Sequence, residues 1–488
     1  MKRRDFLKLC ALFGANAFMP LSLYGNNFSD YKALVIVLLH GGNDSLNMFV
    51  PTSNNQFSGY NAYKQARGVL AIKQNFLDLP IINNKLELSG GEQNPYYSDG
   101  TITKAYTKGL YNTPYNIGVN PLMPELAHLI NSNKVAIISN MGMLHQPTTK
   151  QDIIDKKVTL PIFLYSHNSQ RALFYTGNSQ NQSKIGWAGH LADIWQNVNN
   201  SDVYKLNIAI NKSTKIFFGK NSNPLVISQN GPSKYSKVKD QERQMYEELL
   251  NINYQNKFLR LYNNLKSKSF RFQDILQNDW QIDFTLNSTN AYNEPIFTKL
   301  DSSTLGIKSS EKIGSSLIDQ LKAVAKLIKI GKEKGLKREI FFVTHAKYDT
   351  HGNQTFQHAR NLRELSIAIN DFYLAMQELN LEDSVTLFNI SDFGRSAGNN
   401  GDGSDHAWGG HYFVVGGAVN GGLYGELPSL ELGGIDDATK KGRLIPKISH
   451  TQYYSTLLKW FGVDNNTLLN LFPELINFEQ KDLGFMKS

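Results

Sequence analysis

The sequence predicts an α/β fold on a mostly parallel sheet, and three observations carry that reading. Apolar, β-branched runs recur along the chain, helical periodicity separates them, and several runs stop abruptly at glycine, aspartate or histidine. A strand covered on both faces is a continuous hydrophobic run, and strand–helix alternation is the rhythm of a parallel sheet. Ligands of such sheets bind outside the carboxyl ends of the strands, so function is sought at those stops.

At 488 residues the chain is long enough for one elaborated domain or two, and its formal charge is +9. Lys2, Arg3, Arg4 and Lys8 against Asp5 supply three of those units, and no concentrated Lys/Arg run follows. That distribution suits an anionic small molecule or glycan and not nucleic acid. Residues 1–25 are set apart as a signal peptide. Lys2-Arg3-Arg4-Asp5-Phe6-Leu7-Lys8 is a twin-arginine signature, followed by a mildly apolar stretch ending in small residues near Gly25. Asn16 and Pro20 interrupt that stretch, which is too short to make a stable transmembrane anchor. The expectation is export by the twin-arginine machinery to the periplasm or beyond. Cys10 lies inside this segment, so the mature chain has no thiol for disulfides, nucleophilic attack or zinc.

The remainder, 26–488, reads as a single domain with insertions near 53–118 and 200–310. Residues 33–39 form the first buried strand, ending at His40-Gly41-Gly42-Asn43-Asp44. Asp44 stands there where open α/β sheets hold their ligands, with Asn43 beside it as a candidate substrate contact. His40 is left open between a ligand and a structural imidazole. In the first insertion, Tyr60 and Arg67 either face a ligand or cover core. Residues 120–130, with prolines at the start, read as a helix, and 134–139 as a second strand. A helix then begins at Ser166. Serine is an ordinary N-cap; it is also where an attacking hydroxyl meets an anion held by a helix N-terminus. His167 and Arg171 are candidate substrate contacts beside it, and His145 is a more distant neighbour. No glycine-rich phosphate loop is present.

Residues 237–268 read as one long polar helix and 270–310 as an irregular connection. A helix near 312–334 leads to a third strand at 338–344, which ends in His345-Ala346-Lys347-Tyr348-Asp349-Thr350-His351. Residues two apart in extended chain point the same way, so Asp349 and His351 can converge on one ion. His358, on the helix of 356–379, is assigned a structural role. The fourth strand, 385–390, delivers the loop 391–411, which holds Asp392, Arg395, Asp402, Asp405, His406 and His411. Carboxylate, imidazole and guanidinium together suit a divalent cation or an anion; a solvated turn would use the same glycines and asparagines. A strand at 412–415, a glycine-rich hairpin at 416–425 and a helix at 451–461 complete the domain.

The twin-arginine start, the 38–47 stretch, Ser166-His167, Tyr348-Asp349-Thr350-His351, Ser391-Asp392-Phe393-Gly394-Arg395, Ser404-Asp405-His406-Ala407-Trp408-Gly409-Gly410-His411 and Gly416-Gly417-Ala418-Val419 resemble the exported family catalogued as domain of unknown function 1501. That family looks like a branch of the alkaline phosphatase/sulfatase superfamily. The resemblance implies a doubly wound α/β sandwich with its site at the strand ends and one or two divalent cations (Zn, Mn, Ca or Mg). By the same resemblance Ser166 matches the nucleophile, and Asp44, Asp349, His351, Asp392 and His406 or His411 match the ligands. Arg395 would meet the anion. The chain departs from the superfamily where one residue, not the frequent three, separates Asp349 from His351, and where Phe393 stands in place of a histidine. Without a cysteine in the mature chain, a formylglycine-type sulfatase is not expected. Two functions follow: a metal-dependent phosphate or sulfate ester hydrolase using a serine nucleophile, or an inactive relative acting as an envelope binding or assembly factor.

Overall fold

Strand β1 (Lys32–Leu39) runs through the interior of a nine-stranded sheet. Its residues alternate, with Ala33, Val35, Val37 and Leu39 in one hydrophobic core and Leu34, Ile36 and Leu38 in another. A strand with core on both sides has no polar face, which is why the run is unbroken. The computed structural model describes residues 28–88, 106–233, 239–300 and 316–487. The twin-arginine segment lies outside the described residues.

The other strands are β2 (Val135–Gly142), β3 (Asn207–Ile210), β4 (Leu225–Ile227), β5 (Arg338–His345), β6 (Val385–Ser391), β7 (Gly410–Val415), β8 (Gly422–Tyr424) and β9 (Ile448–Ser449). Their order is β4-β3-β5-β1-β6-β7-β2-β8, with β9 also paired to β2. β1 is parallel to both of its neighbours, Leu39 standing opposite His345 of β5 and Ser391 of β6. Only β7 runs against its neighbours. The carboxyl ends of β5, β1 and β6 therefore open side by side.

Helices cover both faces. α1 (Tyr60–Arg67), α2 (Pro124–Asn131), α5 (Ser316–Glu333) and α6 (Gln354–Glu378) pack into the first core. α3 (His167–Thr176), α4 (Trp187–Ile194) and α7 (His450–Phe461) pack into the second. This is the doubly wound α/β arrangement. Local chemistry agrees: Pro124 opens α2, where its missing N–H costs nothing, and Ser449 with Gln452 forms a capping box on α7. Among the described residues no helix is long and apolar enough to cross a membrane.

Three expectations change. The 416–425 stretch is not a hairpin, because β7 is already bonded on both edges by β6 and β2. The next strand must use the free edge of β2, and β8 pairs there in parallel. The long helix of 237–268 is two helices, Asp240–Leu250 and Lys257–Asp279. The asparagine-rich segment between them breaks the periodicity, and the Asn256 side chain caps the second helix at the N–H of Phe258 and Leu259. Within the 200–310 segment, β3 and β4 belong to the main sheet; runs of four and three residues barely stand out from polar surroundings. Part of the 53–118 segment does form its own small four-stranded sheet with Phe49–Pro51 and Ile117–Val119.

Candidate metal centre

Backbone at the end of β1 is drawn tightly against its neighbours. Gly41 (φ 119°) and Gly42 (φ 81°) turn the chain, and a Cβ on Gly41 would lie 2.5 Å from the backbone nitrogen of Asp349. A Cβ on Gly42 would lie 2.5 Å from the Phe393 ring. Only glycine permits both the positive φ and the approach. The loops after β5 and β6 are thereby pulled over the end of β1. α3 joins them from the opposite face, its first residue being His167.

Three imidazoles converge on the Asp349 carboxylate. His167 Nε2 lies 3.4 Å from Oδ2, while His351 Nε2 and His406 Nε2 lie 3.2 and 3.5 Å from Oδ1. Ligand atoms of His167, Asp349 and His406 all fall within 4.8 Å of one another. His351 Nε2 is 2.8 Å from His406 Nε2. Two imidazole nitrogens that close need a shared proton or a cation between them, since two facing lone pairs repel.

In each ring the other nitrogen is occupied. His167 Nδ1 is 2.9 Å from Asp392 Oδ2, His406 Nδ1 is 2.9 Å from the Tyr165 carbonyl, and His351 Nδ1 is 3.3 Å from Asp405 Oδ1. An acceptor at Nδ1 holds the proton there and leaves the Nε2 lone pair turned inward, as in a metal-bound histidine. The Tyr165 carbonyl reaches His406 from a left-handed backbone (φ 70°), an uncommon conformation for a bulky residue. Phe393 packs against two of the rings, its centroid 4.6 Å from His167 and 4.7 Å from His406, while those two imidazoles meet edge to face at 4.3 Å.

Two buried polar atoms of the cluster have no hydrogen-bond partner among the described residues, His167 Nε2 and Asp392 Oδ1. The first faces the Asp349 carboxylate. His167, His406 and the Asp349 carboxylate, with His351 Nε2 beside His406, make a donor set for a borderline divalent cation such as Zn²⁺; all-oxygen cages suit Ca²⁺ and Mg²⁺. Electrostatics prepare those donors. Burial works to raise the Asp349 pKa, but the Arg395 hydrogen bond and charge, with His167 and His351, outweigh it and hold the carboxyl below its ordinary value. Burial, then the neighbouring cationic groups, lowers the His406 pKa against the opposing effect of the Tyr165 carbonyl, so this ring stays neutral to lower pH.

Asp349, His351 and His406 thus come together, joined by His167, which the sequence had placed on the substrate. Asp392 stands behind His167 as its orienting partner and also pairs with Arg171 Nη1 at 3.2 Å. Asp44 and His411 stand outside the cluster. The Asp44 carboxylate, fully buried, pairs with the Arg67 guanidinium and the Gln354 amide, so a fixed organic cation neutralises it. His411 is fully enclosed on β7, its Nδ1 accepting the Asn140 N–H at 3.2 Å. Arg395 is a buried strut and not an open anion contact. Its guanidinium donates to the carbonyls of Gly41, Gly42 and Ser404 at 2.7–2.9 Å and to Asp349.

The Ser166 hydroxyl is exposed and bonds Ser169 Oγ at 3.3 Å. Arg171, one turn into α3, reaches His40 Nε2 at 2.9 Å and Asn168 Oδ1 at 2.8 Å. Asn43 turns inward to His358 Nε2 at 2.9 Å, which leaves its side chain away from solvent. Asp402 accepts the Asn353 N–H at 2.6 Å at the start of α6. His145 pairs with Glu474 at 3.0 Å, and Tyr60 donates to the Ile72 carbonyl at 2.9 Å. The orienting roles of Asp405 and the Tyr165 carbonyl, and the pairing of Arg67 with Asp44, were missed. A backbone acceptor has no side-chain signature, and Arg67 lies 23 residues from its partner.

The family described as "Protein of unknown function (DUF1501)" matches residues 332–470. That span holds Asp349, His351, Asp392 and His406, but not Asp44, Ser166 or His167. Among solved structures the chain is similar to the PsFucS1 sulfatase from Pseudoalteromonas sp., at 12% identity and TM-score 0.33 over 100% of this chain and 78% of that one. It is also similar to Ps i-CgsB, at 11% identity and TM-score 0.34 over 92% of this chain and 77% of the other. The complex of Ps i-CgsB with k-i-k-neocarrahexaose gives 12% identity and TM-score 0.32 over 92% and 77%. No curated protein matches the sequence.

Proposed function

We propose that this chain is an exported, divalent-cation-dependent hydrolase of phosphate or sulfate esters. The single observation that carries the reading is the convergence of the three Nε2 atoms on Asp349, each ring backed by an acceptor at Nδ1. His167, His351, His406 and Asp349 would hold the cation, which when bound would supply positive charge to an anionic ester group. Arg171 and the N–H groups at the start of α3 receive the non-bridging oxygens of an anionic substrate. Ser166, exposed beside them, attacks the phosphorus or sulfur in line with the leaving alcohol, its proton passing to solvent water. The bond from the central atom to the alcohol oxygen breaks as that oxygen takes a proton from water, and a second water then hydrolyses the serine ester, restoring the hydroxyl and releasing the anion. Phe393 and the buried Arg395 keep the donors in place and exclude water from behind them.

One observation favours a second reading, a binding or assembly factor: among the described residues the Ser166 hydroxyl meets Ser169 and no imidazole or carboxylate base. Elemental analysis of the purified full chain, with turnover of phosphate and sulfate monoesters, separates the two. The hydrolase predicts one or more equivalents of a transition metal, lost in Asp349→Ala, and turnover that Ser166→Ala abolishes. Metal without turnover on a broad ester panel supports the binding role, and a chain that takes up no Zn²⁺ or Mn²⁺ overturns the metal centre itself.

A further inference from the structure

The two helices Asp240–Leu250 and Lys257–Asp279 form a hairpin that the two cores barely touch. No described side chain of the first is buried, and of the second only Leu276 is. Along the second helix Phe258, Leu261, Tyr262 and Leu265 fall at the i, i+3, i+4, i+7 spacing that places them on one face. Phe258 is 83% exposed, Leu261 58% and Leu265 60%. Met245 and Leu249, one turn apart on the first helix, and Ile252 in the turn are exposed as well. In a surface helix such a face is ordinarily turned to the core; here it is turned to solvent. Large exposed side chains gathered in this way make a patch on the order of several hundred Å², the size that marks an interaction site.

Charge separates between the two helices. Glu242, Glu247 and Glu248 lie on the first, against Arg243. Lys257, Arg260, Lys266, Lys268 and Arg271 lie on the second, with no acidic residue before Asp274. At 100° per residue, Lys257 and Lys268 border one edge of the apolar face and Lys266 borders the other. A surface that carries an acidic helix beside a basic one, both with exposed apolar residues, is complementary to itself under a two-fold axis.

We propose that this hairpin is a homodimerisation element whose occupant is the same hairpin of a second copy of the chain. The acidic helix of each copy lies beside the basic helix of the other, and the four helices close into an antiparallel bundle over the Phe258–Leu265 stripe. The opposite charges set partner orientation and the apolar stripe supplies the affinity. An anionic membrane meets the basic helix but also the acidic one, so it fits the surface less well.

Sedimentation of the full chain over a micromolar concentration series tests this. The wild type gives twice the chain mass. Leu261→Glu/Leu265→Glu raises the dissociation constant by roughly 100-fold or more, with an unchanged circular-dichroism spectrum because both positions are exposed in the single chain. A chain with Lys257→Glu/Lys268→Glu and one with Glu242→Lys/Glu248→Lys are each monomeric alone and form a mixed dimer when combined. A monomer at every concentration overturns the proposal. So does a dimer that ignores the leucine changes, or a monomer that instead co-sediments with phosphatidylglycerol vesicles.

Discussion

His167 Nδ1 lies 2.9 Å from Asp392 Oδ2, across the gap between the first turn of α3 and the end of β6. The contact ties a helix from one face of the sheet to the strand edge and decides which ring nitrogen turns towards Asp349. An Asp392→Asn side chain fits the same space but offers Nδ1 an amide whose orientation is not fixed and whose charge is gone. Loss of such a partner lowers metal affinity by about 10–100-fold. Equilibrium dialysis against Zn²⁺ with Asp392→Asn should show that drop, while Asp402→Asn, at a carboxylate that meets the N–H of Asn353, leaves affinity unchanged.

The Asp44–Arg67 pair is fully buried at both ends, so removing one partner strands the other charge. Arg67→Ala should cost about 3–5 kcal/mol in urea unfolding. Replacing both, as Asp44→Asn with Arg67→Met, should recover a large part of that loss. The same double variant should retain cation binding, because neither residue meets the imidazoles. Loss of the metal in it would return Asp44 to the centre.

Strand ends were legible in the sequence because a doubly covered strand must be apolar throughout and must stop where its loop begins. That logic found β1, β2, β5 and β6, and with them Asp349, Asp392 and their neighbours. It did not distinguish Asp44 from Asp349, since both are aspartates just beyond a parallel strand. What separates them is tertiary: Arg67, from an inserted helix, neutralises the first, and three rings surround the second. Arg395 and Arg171 raise the same difficulty. One guanidinium is consumed by backbone carbonyls and the other borders the site, and nothing in residue type or spacing distinguishes them. β3 and β4 escaped notice because their pairing partners, not their composition, make them strands.

Two buried acids and three buried imidazoles set a stability optimum. Burial raises Glu339 and Asp371 to about 8 and lowers His358, His411 and His450 to about 4. The acids bind protons in the folded state that the unfolded chain has released above its ordinary carboxyl pKa, so their contribution is full below about pH 4 and is lost as pH rises towards 8. The imidazoles act in the opposite sense, full above about 6.5 and lost as pH falls towards 4. Between about 4 and 6.5 the two sets largely offset; above about 6.5 only the acids act. Stability in urea should therefore peak near pH 6–6.5 and fall towards pH 8. Asp371→Asn, neutral at every pH, should flatten the alkaline fall, and a profile unchanged by it would show that Asp371 ionises normally when folded.

Phe393 is the last structural element of the centre and the one whose removal is most informative. Its ring is 1% exposed and lies against both His167 and His406, where it backs two donors without donating anything itself. Phe393→Ala leaves a cavity that should cost about 3–5 kcal/mol, and the freed rings can then adopt several orientations. Gly42→Ala attacks the same contact from the other side, since its Cβ would meet the ring at 2.5 Å in a backbone at φ 81°. Both variants should bind Zn²⁺ more weakly than the parent when measured under conditions where each is folded. Weakened stability with unaltered affinity would mean that the acceptors at Nδ1 alone hold the imidazoles, and that the phenyl ring serves the core and not the metal.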